Sequence, residues 1–170
     1  MAAVLALPVA FGAVSAAASM TEVPLAVPAT SVRLTARVLG LLPIPITVGR
    51  FAGTLRYDPD APGICSVQFV ADVTSMQTGD PDRQRRLLGP DFMDAARYPT
   101  FAFQGRCSQD GGLSGQLELH GQVRPFALHM DRFPHRLVAE GDLTRAEWGI
   151  TAWPILVGPT IHVMIAASVP

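Results

Sequence analysis

Residues 64–73 read ICSVQFVADV, and apolar side chains occupy every second position from Cys65 to Val73. Polar residues stand at three of the positions between them, as Ser66, Gln68 and Asp72. Alternation with a period of two is typical of a β-strand that turns one face to a core and the other to water. The segment therefore predicts a half-buried strand.

The same alternation recurs in seven further short runs, which Gly, Pro and Asp separate at intervals of about ten residues. Most of the runs are joined by short links, and short links make neighbouring strands antiparallel. The sequence therefore predicts eight antiparallel strands. Besides residues 64–73, the predicted strands contain residues 32–38, 51–58, 101–107, 117–119, 126–130, 137–143 and 161–165.

Residues 78–99 interrupt the strand pattern and predict a short helical excursion between the third and fourth strands. Asp80 stands before a proline, which is a helix-start signal, and Leu87 and Leu88 supply an apolar face. Asp91 follows another proline and predicts the cap of a second short helix.

An all-β fold with one apolar face on each strand has two architectures open to it. The eight strands either close into an up-and-down barrel or stack as a sandwich of two sheets. A closed barrel of eight strands leaves an interior that side chains fill or that holds one slender ligand. The chain of 170 residues is long enough for one such domain with an apolar core.

The charge of the chain is low and balanced. Charged residues make up 16% of the sequence, and the formal net charge is -1. Proteins that bind a phosphate backbone usually carry a clustered positive excess. Nucleic acid is therefore not an expected partner.

The N-terminal residues predict a signal peptide over residues 1–20. No charged residue occurs before Glu22, and the apolar run ends in small residues that include the possible cleavage site Ala16-Ala17-Ala18. An uncleaved anchor is the alternative, although Pro8 and Gly12 interrupt a stretch that is mostly alanine, and a bilayer span needs about 20 strongly apolar residues.

The predicted domain organisation follows from this leader. Residues 21–30 are expected to form an extended N-terminal segment, and residues 31–170 the barrel domain. Removal of the leader makes the protein periplasmic or secreted. Translation from Met20 is the alternative, and it gives a cytoplasmic protein.

The sequence contains no recognisable catalytic or metal-binding constellation. The four histidines stand singly and the two cysteines lie far apart, whereas a zinc site needs converging ligands at short spacings. No serine stands in a G-x-S-x-G motif, and no glycine-rich loop fits a phosphate. We therefore expect no metal, no cofactor and no enzymatic activity.

The two cysteines fall on strands that are able to pair. If Phe69 lies opposite Phe103 in an antiparallel pair, the same register places Cys65 opposite Cys107. A cross-strand disulfide is then one interpretation for an exported protein, and two buried free thiols are the other.

Three arginines cluster in the helical excursion, beside Asp80 and Asp82. One interpretation is a solvated helix face, on which opposite charges three or four residues apart form pairs. The other is a cationic barrel mouth that contacts a diphosphate or an anionic headgroup, to which arginine bonds with two N–H groups. The three residues are Arg83, Arg85 and Arg86.

Several short motifs follow one another along the chain in a distinctive order. They include GRF at 49–51, YDP at 57–59, PDF at 90–92, YPTFAF at 98–103, HGQVRP at 120–125 and RAEWGI at 145–150.

In this order the motifs resemble those of the YceI-like polyisoprenoid-binding domains, over about residues 32–168. The resemblance implies a lipocalin-like barrel that holds a polyisoprenoid. The chain departs from the family pattern at Gln84 and Arg86, where the family commonly has an acid and a histidine, and it lacks the histidine pair of the first strand. The apolar lining is therefore the part of the resemblance that transfers most directly.

Strand alternation and the resemblance together predict the residues that line the barrel. We expect them to hold a polyprenyl phosphate, an isoprenoid quinone or a similar lipid for transport, storage or sequestration. The alternative is a ligand-free, side-chain-filled barrel that serves as a stress-related or interaction module. The protein is expected to be a monomer or homodimer that contacts membranes transiently. The predicted lining residues are Leu34, Phe51, Leu55, Tyr57, Val67, Phe69, Phe101, Phe103, Leu117, Leu119, Phe126, Leu128 and Trp148.

Overall fold

The computed structural model describes residues 20–61 and 63–170, so the predicted signal peptide lies outside the described residues apart from Met20. Within them are eleven strands, the helix α1 (Pro81–Leu88) and two 3₁₀ turns, at Val73–Ser75 and Arg145–Trp148. No helix in this part of the chain has the length and apolar character needed to cross a membrane. The strands are β1 (Thr21–Leu25), β2 (Thr30–Val38), β3 (Leu42–Val48), β4 (Phe51–Tyr57), β5 (Cys65–Asp72), β6 (Met76–Gln77), β7 (Thr100–Cys107), β8 (Gly112–Leu119), β9 (Gln122–Phe133), β10 (Arg136–Thr144) and β11 (Thr160–Ser168).

The strands form one antiparallel sheet that closes into a barrel. In the sheet order β1-β4-β5-β7-β8-β9-β10-β11-β2-β3-β6, the strands β4 and β3 lie near opposite ends. In the chain, only Gly49 and Arg50 separate these two strands. The continuous segment from β3 to β4 therefore connects the two ends of the sheet and closes it into a barrel. The predicted all-β antiparallel barrel is confirmed, and the sandwich alternative is wrong.

Hydrogen bonds hold the corner between β3 and β4. The N–H of Gly49 donates to the carbonyl oxygen of Ser75 over 3.1 Å, and the N–H of Arg50 donates to the Ser75 hydroxyl over 2.9 Å. The Arg50 guanidinium bonds the Asp72 carboxylate at 2.7 Å and the Thr74 hydroxyl at 2.8 Å. Hydrogen bonds from Thr74 and Arg50 lower the pKa of Asp72, so its carboxylate is ionised at neutral pH.

The predicted number of strands, eight, is wrong, because the prediction omitted β1, β3 and β6. The strand β1 lies in the predicted extended segment 21–30 and pairs with β4 along its length. In β3 the buried Ile44 and Ile46 alternate with exposed prolines, which lack the N–H of a sheet ladder. The strand tolerates them because only two of its residues pair with β6, so most of that edge needs no donor. Since β1 leads into β2, β3 into β4 and β5 into β6, eight chain paths surround the barrel.

The helix α1 begins as the sequence predicts. The Asp80 carboxylate accepts a hydrogen bond of 2.8 Å from the N–H of Arg83, and a proline occupies the first turn. The predicted second helix is wrong, because residues 89–98 form turns instead. In these turns the N–H of Met93 bonds to the carbonyl of Leu87, and Asp94 takes a left-handed conformation with a φ of 43°. A residue in that conformation ends a right-handed helix.

The register of β5 and β7 is the one that the sequence predicts. Phe69 lies opposite Phe103, and Ser66 lies opposite Arg106. Beyond these pairs the structure joins Cys65 and Cys107 by a disulfide, across a Cα–Cα distance of 4.9 Å.

The disulfide closes a loop of 42 residues, so its loss is expected to lower the free energy of unfolding. For a loop of this length, the chain-entropy model gives a loss of roughly 4 kcal/mol. The test compares urea unfolding of the oxidised protein with that of a C65S/C107S variant. Oxidised protein treated with a reductant should unfold at the same urea concentration as the variant. Equal unfolding midpoints for the variant and the oxidised protein would contradict the prediction.

Candidate functional site

An apolar cavity with a volume of about 390 Å³ occupies part of the barrel interior. Its wall contains no carboxylate, histidine, serine or cysteine among the described residues. The charged residues of the wall are three arginines, Arg83, Arg86 and Arg145. Eight of the thirteen predicted lining residues belong to this wall, and they are Leu34, Phe69, Phe101, Phe103, Leu117, Leu119, Phe126 and Leu128.

The other five predicted lining residues lie outside the cavity wall. Leu55 and Val67 are buried in the core, and Tyr57 packs against the same core. Phe51 packs behind Phe69, with ring centroids 5.4 Å apart. Trp148, which is 1% exposed, lies edge-on to Phe126 at a centroid distance of 6.3 Å. These five side chains support the wall or fill the barrel.

The direction of the strands assigns the loops to two ends of the barrel. Val38, the last residue of β2, bridges to Val157 in the segment between β10 and β11, and we call this end the mouth. Directions alternate around an antiparallel sheet, so β5 also runs toward the mouth and β7 runs away from it. Cys65, which starts β5, and Cys107, which ends β7, therefore mark the opposite end, which we call the disulfide end.

The two ends of the barrel differ in packing. At the disulfide end, large apolar side chains point inward and fill the interior, and none of them borders the cavity. The cavity extends from the middle of the barrel to the mouth, so a guest molecule is able to enter from one end only. The buried residues that fill the disulfide end include Leu55, Val67, Leu113, Met130 and Leu137.

Four residues of the cavity wall are also exposed to solvent, and they define the opening. Arg83 and Arg86 come from α1, and Trp153 and Leu156 come from the segment between β10 and β11. The Arg86 guanidinium lies over the Trp153 ring, 4.9 Å from its centroid. Phe92 meets the same ring edge-on at 6.0 Å. The opening is therefore aromatic and cationic.

The predicted arginine cluster divides between the opening and the outer surface. Arg83 and Arg86 border the cavity, whereas Arg85 does not and instead pairs with Asp82 one turn earlier. Arg83 lies 3.8 Å from the Asp80 carboxylate. The hydrogen bond from the backbone N–H of Arg83 is the main cause that lowers the pKa of Asp80. Arg86 has no carboxylate partner among the described residues.

Arg145 supports the mouth from inside. Its side chain is 4% exposed and donates to three backbone carbonyls, those of Ile150, Val157 and Gly158, at 2.8–3.0 Å. Burial lowers the pKa of its guanidinium, which nevertheless keeps its proton as arginines in proteins do. The charge therefore serves to hold the segment that carries Trp153 in place.

The sequence prediction omitted part of the wall and the role of Arg145. Ile44 and Ile46 line the cavity from β3, and their alternation was visible despite the prolines between them. Met93 and Trp153 come from irregular segments, whose side-chain directions follow no period. Nothing local to Arg145 indicates that its partners are carbonyls up to thirteen residues further along the chain.

The chemistry of the site is that of binding. Within the described residues no three His, Cys, Asp or Glu side chains converge to hold a metal ion. Thr78 is the one hydroxyl residue of this wall among the described residues, and its hydroxyl donates to the carbonyl of Asp80 over 3.0 Å. An apolar cavity with a few polar groups at its opening is the usual form of a small-molecule binding site.

A closed antiparallel barrel with an apolar cavity open at one end defines a lipocalin-like binding barrel. The model of the YceI-like domain matches residues 25–169, so the chain belongs to the YceI-like family. The resemblance of the sequence motifs is thereby confirmed.

Two kinds of curated relative are similar in sequence to about half of the chain. A UPF0312 protein of Vibrio cholerae is 30% identical over 87 residues, which cover 48% of this chain and 46% of the relative. Protein YceI of Escherichia coli O157:H7 is 28% identical over 96 residues, which cover 54% and 48%. The chain thus spans about half the length of the curated relatives that it matches.

Solved structures share the fold at low sequence identity. Burkholderia cenocepacia BcnA superposes with a TM-score of 0.67 and 18% identity, covering 83% of this chain and 96% of that one. A polyisoprenoid binding domain from Saccharophagus degradans gives a TM-score of 0.59 and 14% identity, covering 89% and 100%.

Replacing Arg145 by methionine is expected to loosen the mouth. The substitution removes the donor from one buried and two part-buried hydrogen bonds to carbonyls and should lower the free energy of unfolding by about 2–3 kcal/mol. Hydrogen exchange should quicken at the N–H groups of Leu39 and Gly158, which bond to Leu156 and Arg37.

The matched control is R56M, because Arg56 forms an exposed pair with Glu22 at 2.8 Å, and such pairs contribute at most about 1 kcal/mol. Hydrogen exchange measured by mass spectrometry and urea unfolding test both variants. Unchanged exchange at Leu39 and Gly158 in R145M would show that Arg145 does not hold the segment.

Proposed function

We propose that this protein is an exported carrier or sequestering protein that holds a polyisoprenoid, or a similar long apolar lipid, inside its barrel. The observation that carries the proposal is the apolar cavity of about 390 Å³, which opens at the mouth and lies within the usual range for ligand sites. Binding of this kind needs no catalytic residue, and we propose none. The Saccharophagus degradans neighbour, described as a polyisoprenoid binding domain, supports the same ligand class.

The energetics of an apolar chain suit such a cavity. Burial of one CH₂ group contributes about 0.8 kcal/mol, so a five-carbon unit contributes roughly 3–4 kcal/mol. Association costs about 4–15 kcal/mol, which several units offset. The affinity should therefore rise with the number of isoprene units until the cavity is full.

The headgroup of the ligand is expected at the opening. The deep wall has no polar partner for a headgroup, whereas Arg83 and Arg86 lie where the cavity meets solvent. Arginine bonds phosphate oxygens with two N–H groups, so the opening favours a polyprenyl phosphate over an isoprenoid quinone.

Two features support export to an oxidising compartment. Disulfides persist mainly in periplasmic and secreted proteins, and Cys65 and Cys107 are joined in the structure. The uncharged leader over residues 1–20 has the composition of a signal peptide. We therefore propose a periplasmic or secreted protein, a monomer or homodimer, that meets membranes transiently.

The unfilled part of the barrel interior is an argument against the alternative function, a ligand-free interaction module. A barrel without a guest is stabilised by filling its interior with side chains, because each void loses packing contacts. Here only the disulfide end is filled.

Filling the cavity is expected to reduce lipid binding without unfolding the barrel. Ala36 is a small residue of the cavity wall, so A36F should place a ring in the hollow and lower the affinity for geranylgeranyl phosphate about tenfold or more. The fluorescence of Trp153, which borders the cavity, provides the titration signal for delipidated protein.

The matched control is A102F, because Ala102 lies between two wall residues of β7 and so faces the other side of the strand. Farnesyl phosphate should bind wild-type protein more weakly than geranylgeranyl phosphate. Mass spectrometry of organic extracts from protein purified from its native host should detect a long apolar lipid. Empty extracts together with no uptake of either prenyl phosphate would reject the proposed function.

The arginines at the opening are expected to select a charged headgroup. An R83Q/R86Q variant should bind geranylgeranyl phosphate about tenfold more weakly, and geranylgeraniol with little change, because the alcohol has no charge to pair. R85Q is the control, since Arg85 pairs with Asp82 outside the cavity. Equal losses for the phosphate and the alcohol would mean that these arginines do not contact the headgroup.

A further inference from the structure

Two loops at the mouth expose large apolar side chains to solvent. One is the hairpin between β2 and β3, where Leu41 is 83% exposed, and the other is the segment between β10 and β11, where Ile155 is 91% exposed. Half of the exposed large apolar residues of the described chain lie on these two loops. We call this set the apolar rim, and it consists of Leu39, Leu41, Leu42, Trp153, Ile155 and Leu156.

The two loops form one surface. The N–H of Leu39 donates to the carbonyl of Leu156 over 2.8 Å, and the N–H of Gly158 donates to the carbonyl of Arg37 over the same distance. Arg145 holds the second loop from inside, through the carbonyl of Val157 among others. The apolar rim is therefore presented on a hydrogen-bonded framework.

The backbone of the rim is held in an unusual conformation. Leu39 has a φ of 50° and Trp153 a φ of 53°, in the left-handed region that bulky side chains rarely adopt. Each of these conformations is unfavourable in an L-residue, because the Cβ atom comes too close to the following carbonyl oxygen. The fold thus keeps Leu39 and Trp153 exposed in this conformation. Glycine would adopt the conformation more easily, and a polar side chain would be better suited to the exposure.

The rim is continuous with the cavity. Trp153 and Leu156 are exposed on the outside and also belong to the cavity wall. An apolar chain that enters between them stays in contact with apolar side chains from the surface to the interior. A bilayer holds such a chain in its apolar interior, beneath the polar headgroups.

The charges around the rim suit an anionic surface. Neither loop contains a charged residue between Val38 and Gly49 or between Trp148 and His162. Arg37 lies at the base of the hairpin, and Arg86 lies over the Trp153 ring. Asp91 and the paired Asp82 and Arg85 border the same surface hollow as Trp153. Neither Arg37 nor Arg86 pairs with a carboxylate among the described residues. Basic side chains near a membrane surface are attracted to it when the lipids are anionic.

A second copy of the chain fits this surface less well. A stable protein interface takes about 20–30 residues from each partner, whereas the apolar rim has six. A copy seated on the rim would also cover the opening of the cavity.

We propose that the apolar rim docks the mouth of the barrel on an anionic membrane, so that a lipid passes between bilayer and cavity without crossing water. The proposal deepens the proposed function and rests on it for the passage of cargo. The docking itself rests only on the rim and its charges.

The test is sedimentation of the purified protein with vesicles of phosphatidylglycerol and phosphatidylcholine in equal amounts. An L41E/I155E variant places two carboxylates on the rim, and neither residue belongs to the cavity wall. We expect wild-type protein to sediment with the vesicles, and the variant to bind them at least tenfold more weakly. Vesicles of phosphatidylcholine alone should bind wild-type protein less well.

The matched control is I64E/F133E, which places the same charges on apolar residues that are 52% and 55% exposed away from the mouth. Ile64 directly precedes β5 and Phe133 ends β9, which runs away from the mouth, so both residues lie at the disulfide end. The control should bind vesicles as wild-type protein does. Equal losses in both double variants, or no vesicle binding by wild-type protein, would overturn the docking proposal.

Two further measurements separate the outcomes. Titration with geranylgeranyl phosphate in the absence of vesicles should give the same affinity for L41E/I155E and wild-type protein. Cargo binding without vesicle binding would overturn the docking and leave the carrier intact, whereas vesicle binding without cargo uptake would support the docking alone. Sedimentation equilibrium should show a monomer, and a dimer that L41E/I155E dissociates would assign the rim to a second copy instead.

Discussion

The barrel depends on the corner at Gly49 and Arg50, where β3 turns into β4 and the two ends of the sheet meet. The corner is held by Ser75, which accepts from the N–H of Arg50, and by the Arg50–Asp72 pair. Without this closure, the sheet would be open with β1 and β6 at its edges, and open sheets leave unpaired backbone groups there. Closure also encloses an interior, so the cavity is a consequence of the same corner.

The interior is divided between stability and binding. At the disulfide end, buried side chains and the bond between Cys65 and Cys107 supply the packing and the cross-link of a stable domain. Toward the mouth, the side chains of the cavity wall do not fill the interior, and they enclose a space with few polar groups. Arg145 makes the second arrangement possible, because its hydrogen bonds replace the packing that the irregular segment between β10 and β11 would otherwise need.

The sequence predicted the structural features that depend on local pattern, such as strands and the start of the helix. Alternation identified the strand that contains Phe69, whereas the register with Phe103 and the cysteine pairing were conditional interpretations, and the structure has both. Asp80 marked the start of α1. Local pattern was insufficient for β3, where prolines suit a strand only because its edge is mostly unpaired, and for residues 89–98, whose N–H groups bond back to carbonyls of α1.

The sequence by itself determined the fold class, the strand directions and which face of each strand is apolar, because a period of two is written into consecutive residues. Only the tertiary structure decided which apolar residues line a cavity and which fill the barrel. Leu55 and Leu117 have the same pattern in their strands, yet one is core and the other is wall. The difference arises from their positions along the barrel axis, which sheet closure sets through contacts between residues distant in the chain.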